Sequence, residues 1–267
     1  MNKSFEGGRI TKIKKILFVI VMEEESNAIL EMEKFKKDED FSELHRNLLD
    51  VHYLEVNTGS EEDKGVIYII RPKKDPLHNT SLFGTEIAFL LTYLGIQHYK
   101  PDVVISMGYA GYTNFNNDLN GRDLNLGDVA IAREKSIYHS RVMIIKEYEK
   151  TCEGHYPVHN CENMVKELNY FSCRVGTDSS FIVHDHCAFS KEIHVVEMEL
   201  CSVSRAAAYF NVPCIGVKII SDTKSDSYDE NERQEMFIKS LMIMREKFFS
   251  VFKELNAYML NKSIEEI

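Results

Sequence analysis

The chain of 267 residues lacks tryptophan, has only five prolines and thirteen glycines, and contains no apolar run near the roughly 20 residues of a membrane span. Lys12–Met22 begins with basic residues like a signal peptide. However, only about seven apolar residues follow, and Glu23–Glu25 stands in place of a small-residue cleavage site. We therefore expect a buried first strand in a soluble, cytoplasmic protein. No low-complexity tract or linker divides the chain.

The chain also has fewer basic than acidic residues. The 32 basic residues are outnumbered by 42 acidic ones, so the net charge is −10. This balance argues against a nucleic-acid-binding surface, because such affinity rests on the neutralisation of phosphates. It does not exclude a small nucleoside, which is recognised by a pocket. A hydrophobic content of 44% is sufficient for a large core and excludes global disorder.

The cysteines lack the spacing of a metal or redox motif. None of them form a CxxC pair, and we predict reduced thiols at Cys152, Cys161, Cys173, Cys187, Cys201 and Cys214. The pair of histidines in His184–His186 has no further ligand at a recognised spacing, so we expect no metal. No G-x-G-x-x-G follows the first strand, which argues against a dinucleotide cofactor and an oxidoreductase.

Strand and helix patterns alternate along the chain. This predicts one three-layer α/β domain over residues 14–267, after a flexible leader of residues 1–13. Residues 146–160 look irregular, because Gly154 and Pro157 interrupt them. The main predicted strands are Val51–Asn57, Gly65–Arg71 and Asp102–Met107, and the main predicted helices are Glu24–Phe35, Leu82–Gln97 and Glu230–Leu260.

The most informative stretch is Val195–Asp222. An apolar strand, a helix and a second apolar strand follow one another, the last covering Cys214–Ile220. A single crossover helix predicts that the two strands are parallel and that their carboxyl ends meet at one sheet edge. Open α/β sheets bind ligands at that edge. Two carboxylates from distant positions, Glu199 and Asp222, would meet there.

These residues also carry a resemblance. Val196–Glu199 and Ile220–Asp222 resemble the signature of the purine nucleoside phosphorylase-like superfamily, and within it the 5′-methylthioadenosine/S-adenosylhomocysteine nucleosidases. Lys15–Glu25, Lys100–Gly111 and Leu126–His139 are similar to further family segments in the same order. The resemblance spans nearly the whole chain. It implies a three-layer sandwich with a central mixed, mostly parallel, twisted sheet flanked by helices, and no cofactor.

The activity that the resemblance implies is hydrolysis of an N-glycosidic bond. Such cleavage needs an acid that protonates the departing purine and a base that activates water, as in inverting glycosidases. The resemblance implies that Asp222 is the acid at purine N7, oriented by Ser221, and that Glu25 is the base. Further substrate contacts are implied for Ala110, Gly111, Phe181, Ile182, Glu197, Met198, Glu199 and Lys218.

Each of these residues also has an ordinary structural explanation. Glu23–Glu25 could be the acidic first turn of a helix, where the macrodipole favours negative charge. Ser221–Asp222 could cap a helix or form a turn. Met198 and Phe181 could be core residues. In the family, however, those two positions lie beneath the ribose and against the base, and Glu199 meets the ribose hydroxyls.

Two residues depart from the family pattern. Lys218 stands where many members have arginine. A lysine in an apolar strand is expected to reach the carboxylates, but it cannot form a bidentate fork. Tyr109 replaces a small residue, and we expect its bulk to reshape the ribose end of the pocket.

The main alternative is a phosphorylase of the same superfamily. Phosphate needs concentrated positive charge, but neither Met22–Glu25 nor Met107–Gly111 contains arginine. A catalytically silent nucleoside-binding protein is the second alternative, since fold does not determine function; the three retained acidic residues favour an enzyme. The resemblance also implies a homodimer in which residues 144–157 of one subunit close the pocket of the other.

Overall fold

The computed structural model of the chain describes residues 12–57, 64–113, 119, 122–138, 140–141, 143–179, 193–223 and 244–267. Its strands are β1 (Lys15–Val19), β2 (Lys36–Lys37), β3 (Leu49–Asn57), β4 (Lys64–Pro72), β5 (Val103–Tyr112), β6 (Val129–Ala132), β7 (Lys135–Tyr138), β8 (Tyr156–Pro157), β9 (Phe171–Cys173), β10 (Val175–Thr177), β11 (Val195–Glu197) and β12 (Cys214–Thr223). Its helices are α1 (Glu23–Leu30), α2 (Glu39–Leu44), α3 (Thr85–Tyr99), α4 (Lys146–Cys152), α5 (Glu162–Glu167), α6 (Leu200–Tyr209) and α7 (Arg245–Met259). In this part of the chain, no helix is long and apolar enough to cross a membrane.

The predicted strands and helices are present, with shifted ends. Helix α3 begins only at Thr85, because Gly84 precedes it with a positive φ of 94°. The prediction that residues 146–160 are irregular is wrong for their first half, which forms α4. Gly154, with a φ of 76°, follows directly after the end of this helix. The part of the predicted helix Glu230–Leu260 that precedes residue 244 lies outside the described residues.

The apolar run of β1 is buried on both faces of the sheet, as predicted. Ile16 and Phe18 belong to the core on one face, and Leu17 and Val19 to the core on the other. Successive side chains of a strand alternate between faces, so a continuous apolar run fits a central strand covered by helices on both sides. Helices α1 and α7 pack together in one layer, and α3 and α6 in the other.

The strands form one mixed sheet with β5 at its centre. β1 pairs in parallel with β4 and β5, and β12 pairs in parallel with β5 from Cys214 to Thr223. β3 is antiparallel to β4, and β6 is antiparallel to β12. A mixed sheet between two helical layers confirms the predicted fold class.

The prediction of a parallel strand pair within Val195–Asp222 is wrong. Both strands pair with β5 and not with each other: β12 runs parallel to it, whereas β11 runs antiparallel, with Val196 opposite Gly111. The crossover rule concerns parallel strands, and here β5 separates two strands of opposite direction. β11 therefore runs back toward the middle of β5, and its last residue, Glu197, reaches Lys218 of β12.

Candidate active site

The candidate site lies at an interruption in the pairing of β5. One edge of β5 is paired with β12 as far as Tyr112. On the other edge, β1 ends opposite Ser106, and the pairing of β11 covers only Gly111 and Tyr112. Within the described ranges, no strand therefore covers this edge of residues 107–110. Backbone groups at such a gap need another partner if they are buried.

Glu25 supplies that partner. Its Oε1 accepts a hydrogen bond from the backbone N–H of Tyr109 at 2.7 Å, and its Oε2 accepts one from the backbone N–H of Met22 at 3.4 Å. The second bond is the kind that caps the start of a helix. Glu23–Glu25 is thus the acidic first turn of α1, and its third carboxylate also enters the gap in the sheet. The structural explanation therefore applies, and the catalytic role of Glu25 stays a prediction.

Burial controls the protonation of Glu25. Its side chain is almost fully enclosed, and this burial raises the pKa of Glu25 to about 8. The N–H of Tyr109 opposes the rise, the charge of Glu199 adds to it, and the charge of Lys218 opposes it. A carboxyl group with a pKa near the working pH suits proton transfer.

Asp222 reaches the same strand through a β-bulge. Ile220 lies opposite Ala110 and Asp222 opposite Gly111, so Ser221 is the extra residue. Bulges redirect the side chains that follow them. The hydroxyl of Ser221 lies 3.0 Å from Asp222 Oδ1 and 3.4 Å from the carbonyl oxygen of Ala110. Ser221 can therefore orient the carboxyl group of Asp222, as the sequence suggested.

Both carboxylates lie against glycines of β5. A Cβ atom at Gly108 would lie 3.1 Å from Glu25 Oε1, and a Cβ atom at Gly111 would lie 3.1 Å from Asp222 Oδ1. The two glycines are three residues apart, which corresponds to roughly 10 Å of strand. One strand thus contacts both carboxyl groups, at two positions three residues apart.

Glu197 and Lys218 form a buried ion pair beside these groups. Lys218 Nζ lies 2.7 Å from Glu197 Oε2, and the two side chains are 1% and 0% exposed. Glu197 also accepts hydrogen bonds from the Thr177 hydroxyl and from the backbone N–H groups of Glu199 and Leu200, the latter two at 3.0 and 2.8 Å. The carboxylate oxygens of Glu197 are therefore engaged by the protein itself.

The expectation that Lys218 reaches the carboxylates is confirmed. Its ammonium group also lies 3.4 Å from Ser106 Oγ. Burial by itself would lower the pKa of Lys218. The charges of Glu197, Glu199 and Glu25, with the hydrogen bond to Glu197, outweigh this effect and raise the pKa. Lys218 is therefore the positive charge of a cluster with three carboxyl groups.

Glu199 connects this cluster to α3. It precedes the first residue of α6, and its Oε1 accepts a hydrogen bond from the backbone N–H of Gly84 at 3.3 Å. Burial raises the pKa of Glu199 to about 7; the charge of Glu197 adds to the rise and that of Lys218 opposes it. Sequence reasoning missed Gly84 as a neighbour of the site. Its position directly before a helix was the available signal.

The ring of Tyr109 packs into the core. It is 9% exposed and lies against Phe248 of α7, with the ring centroids 5.2 Å apart, a separation usual for aromatic pairs. The bulk of the side chain thus lies in the helical layer, and its backbone N–H is the group that meets Glu25. Met198 is half-buried between Glu197 and Glu199.

Some predicted features lie outside the described residues. These are the proposed base contacts Phe181 and Ile182, and the histidines of His184–His186. Among the residues that the structure does describe, no cluster of histidine, cysteine and acidic side chains is arranged to hold a metal ion.

Comparison with known proteins identifies the family. The model of the phosphorylase superfamily matches residues 15–257. The chain belongs to this superfamily. The match includes β1, the gap beside β5 and all three acidic residues of the cluster, so the residues described above lie within the shared region.

Individual relatives in the superfamily are distant but similar over most of their length. A 5′-methylthioadenosine nucleosidase of Arabidopsis thaliana is 23% identical over 235 residues, which cover 87% of this chain and 82% of the relative. A 5′-methylthioadenosine/S-adenosylhomocysteine nucleosidase of the same plant is 24% identical over 206 residues, covering 75% and 76%. The structure of an Arabidopsis thaliana 5′-methylthioadenosine nucleosidase in apo form has a TM-score of 0.79 and 21% identity, covering 96% of this chain and 100% of the other. The superfamily fold is therefore shared throughout.

Proposed function

We propose that this protein hydrolyses the N-glycosidic bond of 5′-methylthioadenosine, S-adenosylhomocysteine or both, and releases adenine and a 5-thio-substituted ribose. The observation that carries the proposal is the placement of Glu25 and Asp222 at two glycines of β5. Inverting glycosidases likewise use two carboxyl groups, one as the acid for the leaving group and one as the base for water. The relatives named above support the choice of substrate.

In the proposed mechanism, the two carboxyl groups have different tasks. Asp222, oriented by Ser221, protonates N7 of the purine, so that neutral adenine departs. Glu25 accepts a proton from the water that attacks the ribose. Glu199 accepts hydrogen bonds from ribose hydroxyls, and its negative charge stabilises the cationic sugar. Ala110, Gly111 and Met198 contribute contacts to the ribose side of the pocket.

Glu197 and Lys218 have supporting roles in this proposal. Glu197 is already engaged by Lys218 and the start of α6, so we assign it to the positioning of Glu199 and not to direct substrate contact. Lys218 balances part of the negative charge of the cluster. Phe181 and Ile182 are proposed, from the family resemblance, to hold the adenine base.

Water is favoured over phosphate as the nucleophile. The loops Met22–Glu25 and Met107–Gly111 contain no arginine, and Lys218, the cation beside Glu25, is paired with Glu197. A phosphate dianion would have to approach the carboxyl groups of Glu25 and Glu199 while Lys218, the cation that the described part of the cluster contains, is already paired. A water molecule carries no charge and needs only an acceptor for its proton.

The test is adenine release from 5′-methylthioadenosine by the purified protein, with and without added phosphate. We expect release without phosphate or metal, and free 5-methylthioribose as the second product. Formation of methylthioribose-1-phosphate, with turnover that starts from zero and rises with phosphate, would establish the phosphorylase alternative. Binding of the nucleoside without either product would indicate a silent member of the superfamily.

We also propose a homodimer in which residues 144–157 close the partner's pocket. Helix α4 contributes no buried residue; Ile144, which precedes it, is 93% exposed, and Tyr148, within it, is 58% exposed. Such exposed apolar residues are typical of an interaction surface. Tyr156 is half-buried under the guanidinium group of Arg205, 5.5 Å from its ring centroid, so Ile144 and Tyr148 are the better probes of this contact.

The cellular setting is also a proposal. The described cysteines, Cys152, Cys161, Cys173, Cys201 and Cys214, are free thiols. Free thiols are usual in reducing compartments, which supports a cytoplasmic protein. The proposed products, adenine and a thioribose, place the reaction in methionine salvage.

A further inference from the structure

We infer that Gly108 and Gly111 are positioning residues: each leaves the space that one reactive carboxyl group occupies, Gly108 for Glu25 and Gly111 for Asp222. Both glycines lie on β5, so one strand sets the places of both groups. The mechanistic part of this inference rests on the proposed function. The steric part does not.

The three atoms nearest to a Cβ atom at Gly108 all belong to the carboxylate of Glu25. A Cβ atom there would lie 3.1 Å from Oε1, 3.4 Å from Oε2 and 3.6 Å from the carboxyl carbon. The shortest of these distances is below an ordinary van der Waals contact, so a methyl group would force the carboxylate to move. The movement would also disturb the hydrogen bond from Tyr109 N–H, which closes the gap in the sheet.

The contacts at Gly111 are with Asp222 in the same way. A Cβ atom there would lie 3.1 and 3.2 Å from the two carboxylate oxygens and 3.4 Å from the carboxyl carbon. Gly111 is also the residue opposite Asp222 after the β-bulge. The bulge and the glycine therefore act on the same side chain: the first directs it toward β5, and the second gives it room.

Backbone conformation does not explain these glycines. Neither Gly108 nor Gly111 is among the glycines with a positive φ, which are Gly84, Gly127 and Gly154. Alanine could therefore adopt the same backbone angles. At such positions, glycine-to-alanine replacement usually stabilises a protein, because it restricts the unfolded chain. Retaining glycine at two central strand positions is thus unfavourable for stability unless the space is needed.

Other glycines of the core show a different reason for their small size. A Cβ atom at Gly95 would lie 2.8 Å from Leu17 Cδ2, and one at Gly216 would lie 2.6 Å from Leu200 Cδ2. Those positions serve apolar packing. Gly108 and Gly111 differ because the atoms they admit are carboxylate oxygens, which must be held accurately to react. A misplacement near 1 Å can reduce catalysis by about 10²-fold.

Double-mutant cycles on thermal stability test the steric inference without reference to any activity. Gly108→Ala should lower the Tm of the wild-type chain by at least about 2–4 °C. It should have no such cost in a Glu25→Ala background, where the carboxylate is gone. Gly111→Ala should show the same dependence on Asp222→Ala. The controls are the crossed pairs, Gly108→Ala with Asp222→Ala and Gly111→Ala with Glu25→Ala, whose effects on Tm should be additive. Additive effects on Tm in the two test pairs, Gly108 with Glu25 and Gly111 with Asp222, would overturn the inference.

The kinetic readout separates the two glycines. Gly108→Ala should lower kcat by up to about 10²-fold for 5′-methylthioadenosine and for a riboside with a nitrophenolate leaving group alike, because water attack is common to both. Gly111→Ala should spare the second substrate, whose leaving group needs no proton. Equal losses from both variants on both substrates would contradict separate positioning. If the wild-type protein releases no adenine, the proposed function fails, while the stability cycles still decide the steric inference.

Discussion

The carboxylate of Glu25 lies beside the unpaired edge of β5, and it accepts a hydrogen bond from the backbone N–H of Tyr109 at 2.7 Å. β1 and β11 both approach this edge of β5, but neither covers residues 107–110. A side chain thus satisfies a buried backbone donor that an ordinary sheet would pair with a carbonyl group. The same burial that makes this contact necessary raises the pKa of Glu25 to about 8.

The raised pKa of Glu25 predicts that Glu25→Gln stabilises the protein in a pH-dependent way. The folded-state pKa is about 8, compared with an ordinary value of 4.5. Between these pH values the folded state keeps a proton that the unfolded state has lost, so the free energy of unfolding falls as pH rises. Glutamine removes this loss. We expect little gain at pH 5 and a gain on the order of a few kcal/mol at pH 8, measured by urea unfolding.

Glu24→Gln is the control for this prediction, because Glu24 is the exposed neighbour in the same acidic turn. It should change the stability little at either pH. A gain from Glu25→Gln that is the same at pH 5 and pH 8 would show that Glu25 does not titrate with a raised pKa.

Asp222→Asn should separate the acid from the base. General acid catalysis contributes roughly 10²–10⁴-fold, so we expect a loss of that order on 5′-methylthioadenosine. A riboside whose leaving group needs no proton should keep most of its turnover. Glu25→Gln should impair both substrates alike, because both need an activated water. If Asp222→Asn reduces the turnover of both substrates equally, Asp222 has a structural role and not that of the acid.

The buried ion pair predicts strong coupling between Glu197 and Lys218. Lys218→Met leaves a buried carboxylate without its cation, and Glu197→Gln leaves a buried ammonium group without its closest anion. Each change should destabilise the fold by about 3–5 kcal/mol. The double variant should lose clearly less than the sum. Urea unfolding of the four proteins measures this coupling, and simple additivity would contradict it.

Lys218→Met also has an expected effect on catalysis. The charge of Lys218 lowers the pKa of Glu25 and of Glu199, so its removal should raise both. If deprotonated Glu25 is the base, the rise of kcat/KM with pH should move to higher pH in this variant. Lys218→Arg keeps the charge and should leave the profile near that of the wild-type protein. If the pH dependence of kcat/KM is the same in Lys218→Met as in the wild-type protein, the charge of Lys218 does not control the pKa on which activity depends.

The exposed residues before and within α4 predict a dimer contact. Ile144→Glu and Tyr148→Glu should weaken the dimer and raise KM, with little effect on folding, because both side chains are exposed. Leu77→Glu is the matched control, since Leu77 is 85% exposed in a separate turn. Sedimentation and steady-state kinetics measure both effects. A fully active monomer would rule out the proposed contribution of the partner subunit.

Local patterns in the sequence were enough to predict most of the fold. The apolar run of β1, the alternation of strands and helices, and the strand–helix–strand pattern around α6 are all present in the structure. These features depend on periodicity within a few residues, which the chain carries wherever it folds. The candidate residues Glu25, Glu199 and Asp222 were also predicted from short motifs, and the structure places Glu25 and Asp222 against β5.

Tertiary structure decided the direction of β11, the gap beside β5 and the partners of each charge. The sequence of Val195–Asp222 is compatible with a parallel pair, but in the structure the two strands pair with β5 in opposite directions, β11 antiparallel and β12 parallel. The pairing of Lys218 with Glu197, and the contact of Gly84 with Glu199, join residues far apart in sequence. Local periodicity determines which face of an element is buried. Strand order and charge pairing depend on which distant elements become neighbours in the sheet, and this is determined by the packing of the whole chain.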